Sequence, residues 1–220
     1  MNKAAPYDSF YSKLMDMSVW IYTNILRFGK YETESIIKYA AAVENSNVLD
    51  YGCNTGRHAS NVKQAYGYNV MGADINPAAI SVAQRKGIPA ELITPNFFEK
   101  YKFSFDVIIN SHVLEHMDDP KELLVNIRGL LKEEGTFVIA IPQERIRGDI
   151  SSLQILYFLF KLKFENPHKH NISKDQLFAL LIEAGFTPKE HIFCNFIPPF
   201  LTKDRIFITS RSLVVKCTKN

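Results

Sequence analysis

Cysteine is scarce: Cys53, Cys194 and Cys217 are the three in 220 residues, and no two form a C-x-x-C pair. The odd count argues against a disulfide scaffold and the spacing against a structural zinc site, so a reducing, cytoplasmic location is expected. Long apolar runs are also missing. No stretch reaches the ~18 residues of a spanning helix, and the opening MNKAAPYDSF has no apolar core of a signal peptide. A soluble protein without stable membrane insertion is the expectation. Charge of one sign is weak, with 26 Lys+Arg against 23 Asp+Glu for a net +3, and the basic residues are dispersed. Nothing in that balance selects nucleic acid as a partner. Repeats and low-complexity tracts are absent. What is present is ordinary globular composition, 46% hydrophobic, 12% aromatic and 22% charged, in a chain long enough to bury roughly 70% of its unfolded surface.

Residues 7–42 read as two helices: Phe10, Leu14, Met17, Ile21 and Ile25 recur at three- and four-residue spacing, and Gly29 separates them from Tyr31–Ala42. From residue 46 short β-branched runs alternate with helical stretches. Strands are predicted at Asn47–Tyr51, Asn69–Ala73, Glu91–Ile93, Phe105–Asn110, Gly135–Ile141, His191–Phe196 and Leu213–Cys217, and helices at Arg57–Tyr66, Pro77–Lys86, Pro120–Leu131 and Lys174–Ala184. Gly135 and Gly185 stand where helix C-caps belong. Such alternation implies βαβ units and a mostly parallel sheet covered on both faces. About thirty residues containing the apolar run LQILYFLF (Leu153–Phe160) interrupt it, and insertions at strand ends usually carry function.

In VLDYGCNTGRHA (Val48–Ala59) a buried-strand run delivers Asp50 and then Gly52-Cys53-Asn54-Thr55-Gly56 directly into a helix. Two residues without Cβ permit a tight turn and close backbone approach, and the helix N-terminus attracts a carboxylate or phosphate. The G-x-x-x-G spacing is neither the dinucleotide fingerprint nor a P-loop, so NAD and ATP both lose ground. The next strand ends at Asp74, where an acid accepts hydrogen bonds from ribose hydroxyls in doubly wound nucleotide folds.

These runs, with VMGADINPAAISVAQRKG, FDVIINSHVLEHMDDP, LLKEEGTFVIAIP and LLIEAGF, resemble the class I S-adenosylmethionine-dependent methyltransferases over roughly residues 46–186, in particular the small-molecule branch that includes quinone O-methyltransferases. The resemblance implies an α/β, Rossmann-like, doubly wound seven-stranded sheet with an N-terminal helical cap. It implies one methyltransferase domain over 1–220: a cap at 1–45, a cofactor-binding half at 46–141, an insertion or lid at 142–172, and a C-terminal helix and strands at 173–220. Asp50 and the loop of Gly52, Cys53, Asn54 and Gly56 would hold the amino acid end of S-adenosylmethionine, Asp74 the ribose, and Ile75 the adenine. Asn96 and Phe97 follow the third strand, where the family often has an acid at the adenine amino group, and Ser111 completes the cofactor set. Asn54 replaces the glycine most common at the loop centre, a change Asn tolerates because it adopts left-handed backbone.

Four of the six histidines cluster at what would be the carboxyl ends of the strands. His112, Glu115 and His116 share one face if SHVLEHMDDP is helical, and His168 and His170 precede the helix at Lys174. His112 or His168 could be a general base. His112, Glu115 and His116 could be metal ligands resembling the E-x-x-E-H segment of quinone O-methyltransferases, although no metal is expected. Leu-Glu-His could also be a structural turn. His112, His116, His168 and His170 are the candidate acceptor-contacting residues. The predicted activity is methyl transfer to oxygen or nitrogen of a small-molecule acceptor, with S-adenosylhomocysteine as product; an RNA or protein methyltransferase and a non-catalytic binder of S-adenosylmethionine are the alternatives. A homodimer is compatible with the sequence, which does not specify oligomeric state.

Overall fold

Near-continuous burial along the central strands organises the protein. The computed structural model describes Met17 and residues 30–143, 170–195, 201–203 and 210–219. Apart from Met17, the segment predicted as the first N-terminal helix lies outside the described residues, as do the apolar run Leu153–Phe160 and His168. Along the chain the elements are α1 (Lys30–Tyr39), β1 (Asn47–Tyr51), α2 (Arg57–Tyr66), β2 (Asn69–Asp74), α3 (Pro77–Arg85), β3 (Ala90–Leu92), α4 (Phe97–Lys100), β4 (Phe105–Ser111), a 3-10 turn (Leu114–His116), α5 (Pro120–Leu130), β5 (Leu131–Pro142), α6 (Lys174–Glu183), β6 (Phe186–Asn195), β7 (Leu201–Thr202) and β8 (Ser210–Lys219).

The strands form one sheet in the order β3-β2-β1-β4-β5-β8-β6-β7. The first five are mutually parallel, and β8 runs antiparallel between β5 and β6. Seven of these strands match the predicted set. The eighth, β7, pairs through only Phe193 and Cys194, too short to leave a periodic pattern. Successive side chains of a strand point to opposite faces, so Val107, Ile109 and Val138 join α1, α2 and α3 in one core, while Ile108, Phe137 and Ile139 join α5 and α6 in the other. Both faces are thereby covered, as a parallel sheet requires.

Two boundaries depart from the sequence reading. Gly135 is not a helix cap: α5 stops at Leu130, and Gly135 lies inside β5, within the irregular stretch between the pairs Phe105–Leu131 and Val107–Thr136. A Cβ there would come within 2.5 Å of Leu131 Cγ, so the glycine is a packing requirement. Gly185, with φ 82°, does follow the end of α6. β6 starts five residues earlier than predicted, because Pro188 is accommodated at an irregularity in its pairing with β8.

Ser173 accepts the Gln176 N–H while the Gln176 side chain accepts the Ser173 N–H, a reciprocal cap on α6. Ser173→Ala is expected to cost about 0.5–2 kcal/mol, read as a lower urea midpoint at unchanged slope. An unchanged midpoint would show that the cap contributes nothing.

Candidate active site

The chain leaves β1 toward β2 and β3 on one side, then returns to β4 on the other. Where strand order reverses, the loops after β1 and β4 stand side by side at the carboxyl ends of the strands, the crevice position at which open α/β sheets bind ligands. The Gly52–Gly56 loop forms one wall and Ser111–His116 the other. Gly52 (φ 77°), Asn54 (φ 47°) and Gly56 (φ 79°) all adopt the left-handed region, so Asn54 does at the loop centre what its type allows. The loop hangs from β2. Gly52 and Cys53 donate their N–H groups to the Ala73 carbonyl at 2.7 and 3.0 Å, and Asn54 donates its N–H to Asp74 Oδ2 at 2.8 Å. The sulfur of Cys53 folds over Gly72, where a Cβ would lie 2.6 Å from Sγ.

The two acids are placed differently. Asp50 is 1% exposed beneath the loop and accepts the Ala59 N–H, in the first turn of α2, at 2.9 Å. Burial pushes its carboxyl up to about 7, against the opposing pull of that N–H and of Arg57. Asp74 stands half-buried at the mouth, where burial also raises its carboxyl, and Oδ1 accepts the Asn76 N–H at 2.9 Å. Asn54 and Asn76 thus each hold one oxygen, and a carboxylate oxygen can accept more than one hydrogen bond. Ile75 beside it is 73% exposed. Asn96 is exposed at the start of α4, while Phe97 is 2% exposed and packs on Tyr101 and Phe98. An open groove of about 440 Å³ along β3 reaches both, with Ile80 and Leu92 also in its walls.

A methyltransferase-domain family profile matches residues 25–191. The chain belongs to that family. Its fold is that of the class I S-adenosylmethionine-dependent methyltransferases. The ubiquinone biosynthesis O-methyltransferase of Ruegeria sp. strain TM1040 is 27% identical over 165 residues, 71% of this chain and 66% of that protein, so the match spans just under two thirds of the relative. Among solved structures, an S-adenosylmethionine-dependent methyltransferase of Thermotoga maritima superposes with a TM-score of 0.69 at 18% identity, over 96% of this chain and 98% of that one. A Haloferax volcanii complex of the Trm112 methyltransferase activator with a methyltransferase also gives 0.69, at 14% identity over 98% and 99%. At those identities the superpositions speak for the fold alone.

On the β4 wall of the methyltransferase, His112 takes φ 56°, outside the 3-10 turn that begins after Val113, so the predicted shared helical face does not form. Its ring nevertheless sits between two carboxylates, Nε2 at 3.1 Å from Glu32 Oε2 and Nδ1 at 3.5 Å from Glu115 Oε1. Burial alone would lower this histidine, but the two glutamates raise it to about 10. His116 Nε2 is 3.9 Å from Glu115 Oε1. The exposed His170 donates its backbone N–H to the Glu115 carbonyl at 3.2 Å, bringing the entry of α6 to the same rim. Among the described residues no group of three or more His, Cys, Asp or Glu side chains is arranged to hold a metal ion, and no helix is long and apolar enough to cross a membrane.

Sequence reasoning missed Glu32 and Val113. Glu32 shares the buried face of α1 with Ser35, Ile36 and Tyr39, and a carboxylate on an apolar helical stripe was the available signal. Val113 is packed so closely on Gly52 that a Cβ there would overlap its Cγ2, a contact with no signature in either segment.

Proposed function

We propose that this methyltransferase transfers the methyl group of S-adenosylmethionine to an oxygen or nitrogen of a small-molecule metabolite, in the crevice between the Gly52–Gly56 loop and Ser111–His116. The observation that carries the reading is the Asn54 N–H bond to Asp74, which unites the glycine loop and the acid at the reversal of strand order. In this reading the loop with Cys53, supported from below by Asp50, takes the amino acid end of the cofactor at the start of α2, which has no side-chain cap. Asp74 accepts from the ribose hydroxyls with its remaining lone pairs. Ile75 covers one face of the adenine and Asn96 accepts from its amino group. Ser111, whose Oγ is buried without a hydrogen-bond partner among the described residues, donates toward the crevice. When bound, the cofactor supplies a methyl group on a sulfonium that leaves as a neutral thioether.

The residues of this chain mainly align the partners and exclude water, which is where much of the rate of such a transfer arises. In this reading His116 and His170 flank the acceptor side. The dispersed charge of the chain and the name carried by its curated relatives favour a small acceptor over RNA or protein.

The test incubates the protein with methyl-labelled S-adenosylmethionine and a size-fractionated cell extract, with and without chelator. Label in the low-mass fraction is expected. Label in RNA or protein instead would overturn the small-molecule assignment, and loss of label with chelator would show that transfer requires a metal.

A further inference from the structure

We infer that Glu32 of the cap helix α1 is a positioning residue: with Glu115 it clamps His112 as an imidazolium cation, ties α1 to the carboxyl end of β4, and makes His112 a fixed charge instead of a general base. The site concerned is the crevice proposed above, so its importance for transfer rests on that reading.

Geometry carries the inference. Glu32 and Glu115 are 6% and 1% exposed, and a buried carboxylate without a cation is strongly unfavourable. Neither oxygen of Glu115 has a hydrogen-bond partner among the described residues, which leaves His112 at 3.5 Å and His116 at 3.9 Å to balance it. His112 presents one nitrogen to each glutamate, and a ring with both nitrogens protonated has no lone pair with which to take a proton. Its positive φ is a strained conformation that persists where surroundings over-determine it. The backbone N–H of His112, bonded to the Ala140 carbonyl at 2.9 Å, holds the residue in place from the β5 side.

The charged groups around the clamp come from three elements: Glu32 from α1, Glu115 and His116 from the 3-10 turn, and Arg57 and His58 from α2. His58 is the contrasting case. Burial first, and then Arg57, whose Nη2 lies 2.8 Å from His58 Nε2, hold it well below the usual histidine range and therefore neutral. One histidine faces a guanidinium and the other two carboxylates, so neighbours decide which carries charge. Because the folded value of His112, about 10, lies above the unfolded value, the clamp stabilises fully below pH of about 6.5 and its contribution is lost as pH rises through about 10.

The decisive experiment follows the His112 ring in the full chain by long-range 1H–15N correlation from pH about 5 to about 10, with assignment from the resonance missing in His112→Asn. In wild type both ring nitrogens are expected to stay protonated through neutrality. Glu32→Gln should lower the midpoint by roughly two units, and Glu32→Asp should restore much of the upward shift. A wild-type midpoint near 6.5 would overturn the clamp, and so would a Glu32→Gln variant with an unmoved midpoint. The wild-type titration decides the matter alone if the variant does not fold. Calorimetric binding of S-adenosylhomocysteine on the same samples tests the cofactor reading separately: no binding with a protonated His112 sinks that reading and leaves the clamp standing.

Discussion

Gly52→Ala is expected to destabilise the methyltransferase by about 2–5 kcal/mol and to weaken binding at the crevice in parallel. Two costs add. A left-handed φ costs an L-residue roughly 1–2 kcal/mol, and Gly52 sits at φ 77°. Forcing a methyl group into a filled space adds about 1–3 kcal/mol, and here the new Cβ would overlap Val113 Cγ2. Against a total stability on the order of 5–15 kcal/mol, the sum is a large fraction. The two parts are separable. Val113→Ala removes Cγ1 and Cγ2 and leaves Val113 Cβ 3.5 Å from the new methyl, an ordinary contact, so the double variant should recover the steric part and keep the backbone part. Denaturation of the four proteins of that cycle measures the coupling; additivity within about 0.5 kcal/mol would show that the two walls of the crevice are not in contact.

Asp74→Ala should weaken S-adenosylhomocysteine binding by about 1.5–3 kcal/mol, the range for hydrogen bonds to a charged group, which is roughly a 10- to 150-fold rise in Kd. Two routes contribute. In the proposed reading the carboxylate accepts directly from ribose, and in the structure it also holds the Asn54 and Asn76 N–H groups. Its loss therefore releases the glycine loop as well as one ligand contact. Asp74→Asn separates the routes, since an amide oxygen can replace one acceptor but not both. Calorimetry reads the affinity, and an Asp74→Ala protein that binds as tightly as wild type would remove Asp74 from the cofactor site.

The order of these parts was legible in the chain because each depends on neighbours in sequence. FDVIINS carries the continuous apolar run Val107–Ile109 of a strand buried on both faces, and the opposite facing of successive strand residues then sends Val107 and Ile108 to opposite cores. The loop could be read because Gly52 and Gly56 need positive φ and Asn54 tolerates it, properties of the residues themselves. Gly135 misled for the complementary reason: a glycine after an apolar helix looks like a cap, yet its small size is required by Leu131 across the irregular stretch. Pro188 misled similarly, since its missing N–H matters only if the sheet demands a donor at that point, and the pairing with β8 is irregular there.

Local residue chemistry was thus sufficient for the α/β alternation, the glycine loop and the acid at the end of β2, all set by backbone preference and short-range periodicity. Three-dimensional packing assigned the rest. Glu32 reaches His112 across 80 residues of chain, Val113 closes on Gly52 from the loop after another strand, and Arg57 and the glutamates divide charge between His58 and His112. The physical reason is that charge state and steric fit are set by whatever lies within a few ångströms, and in a parallel sheet those neighbours are brought together by crossover connections that no local pattern records.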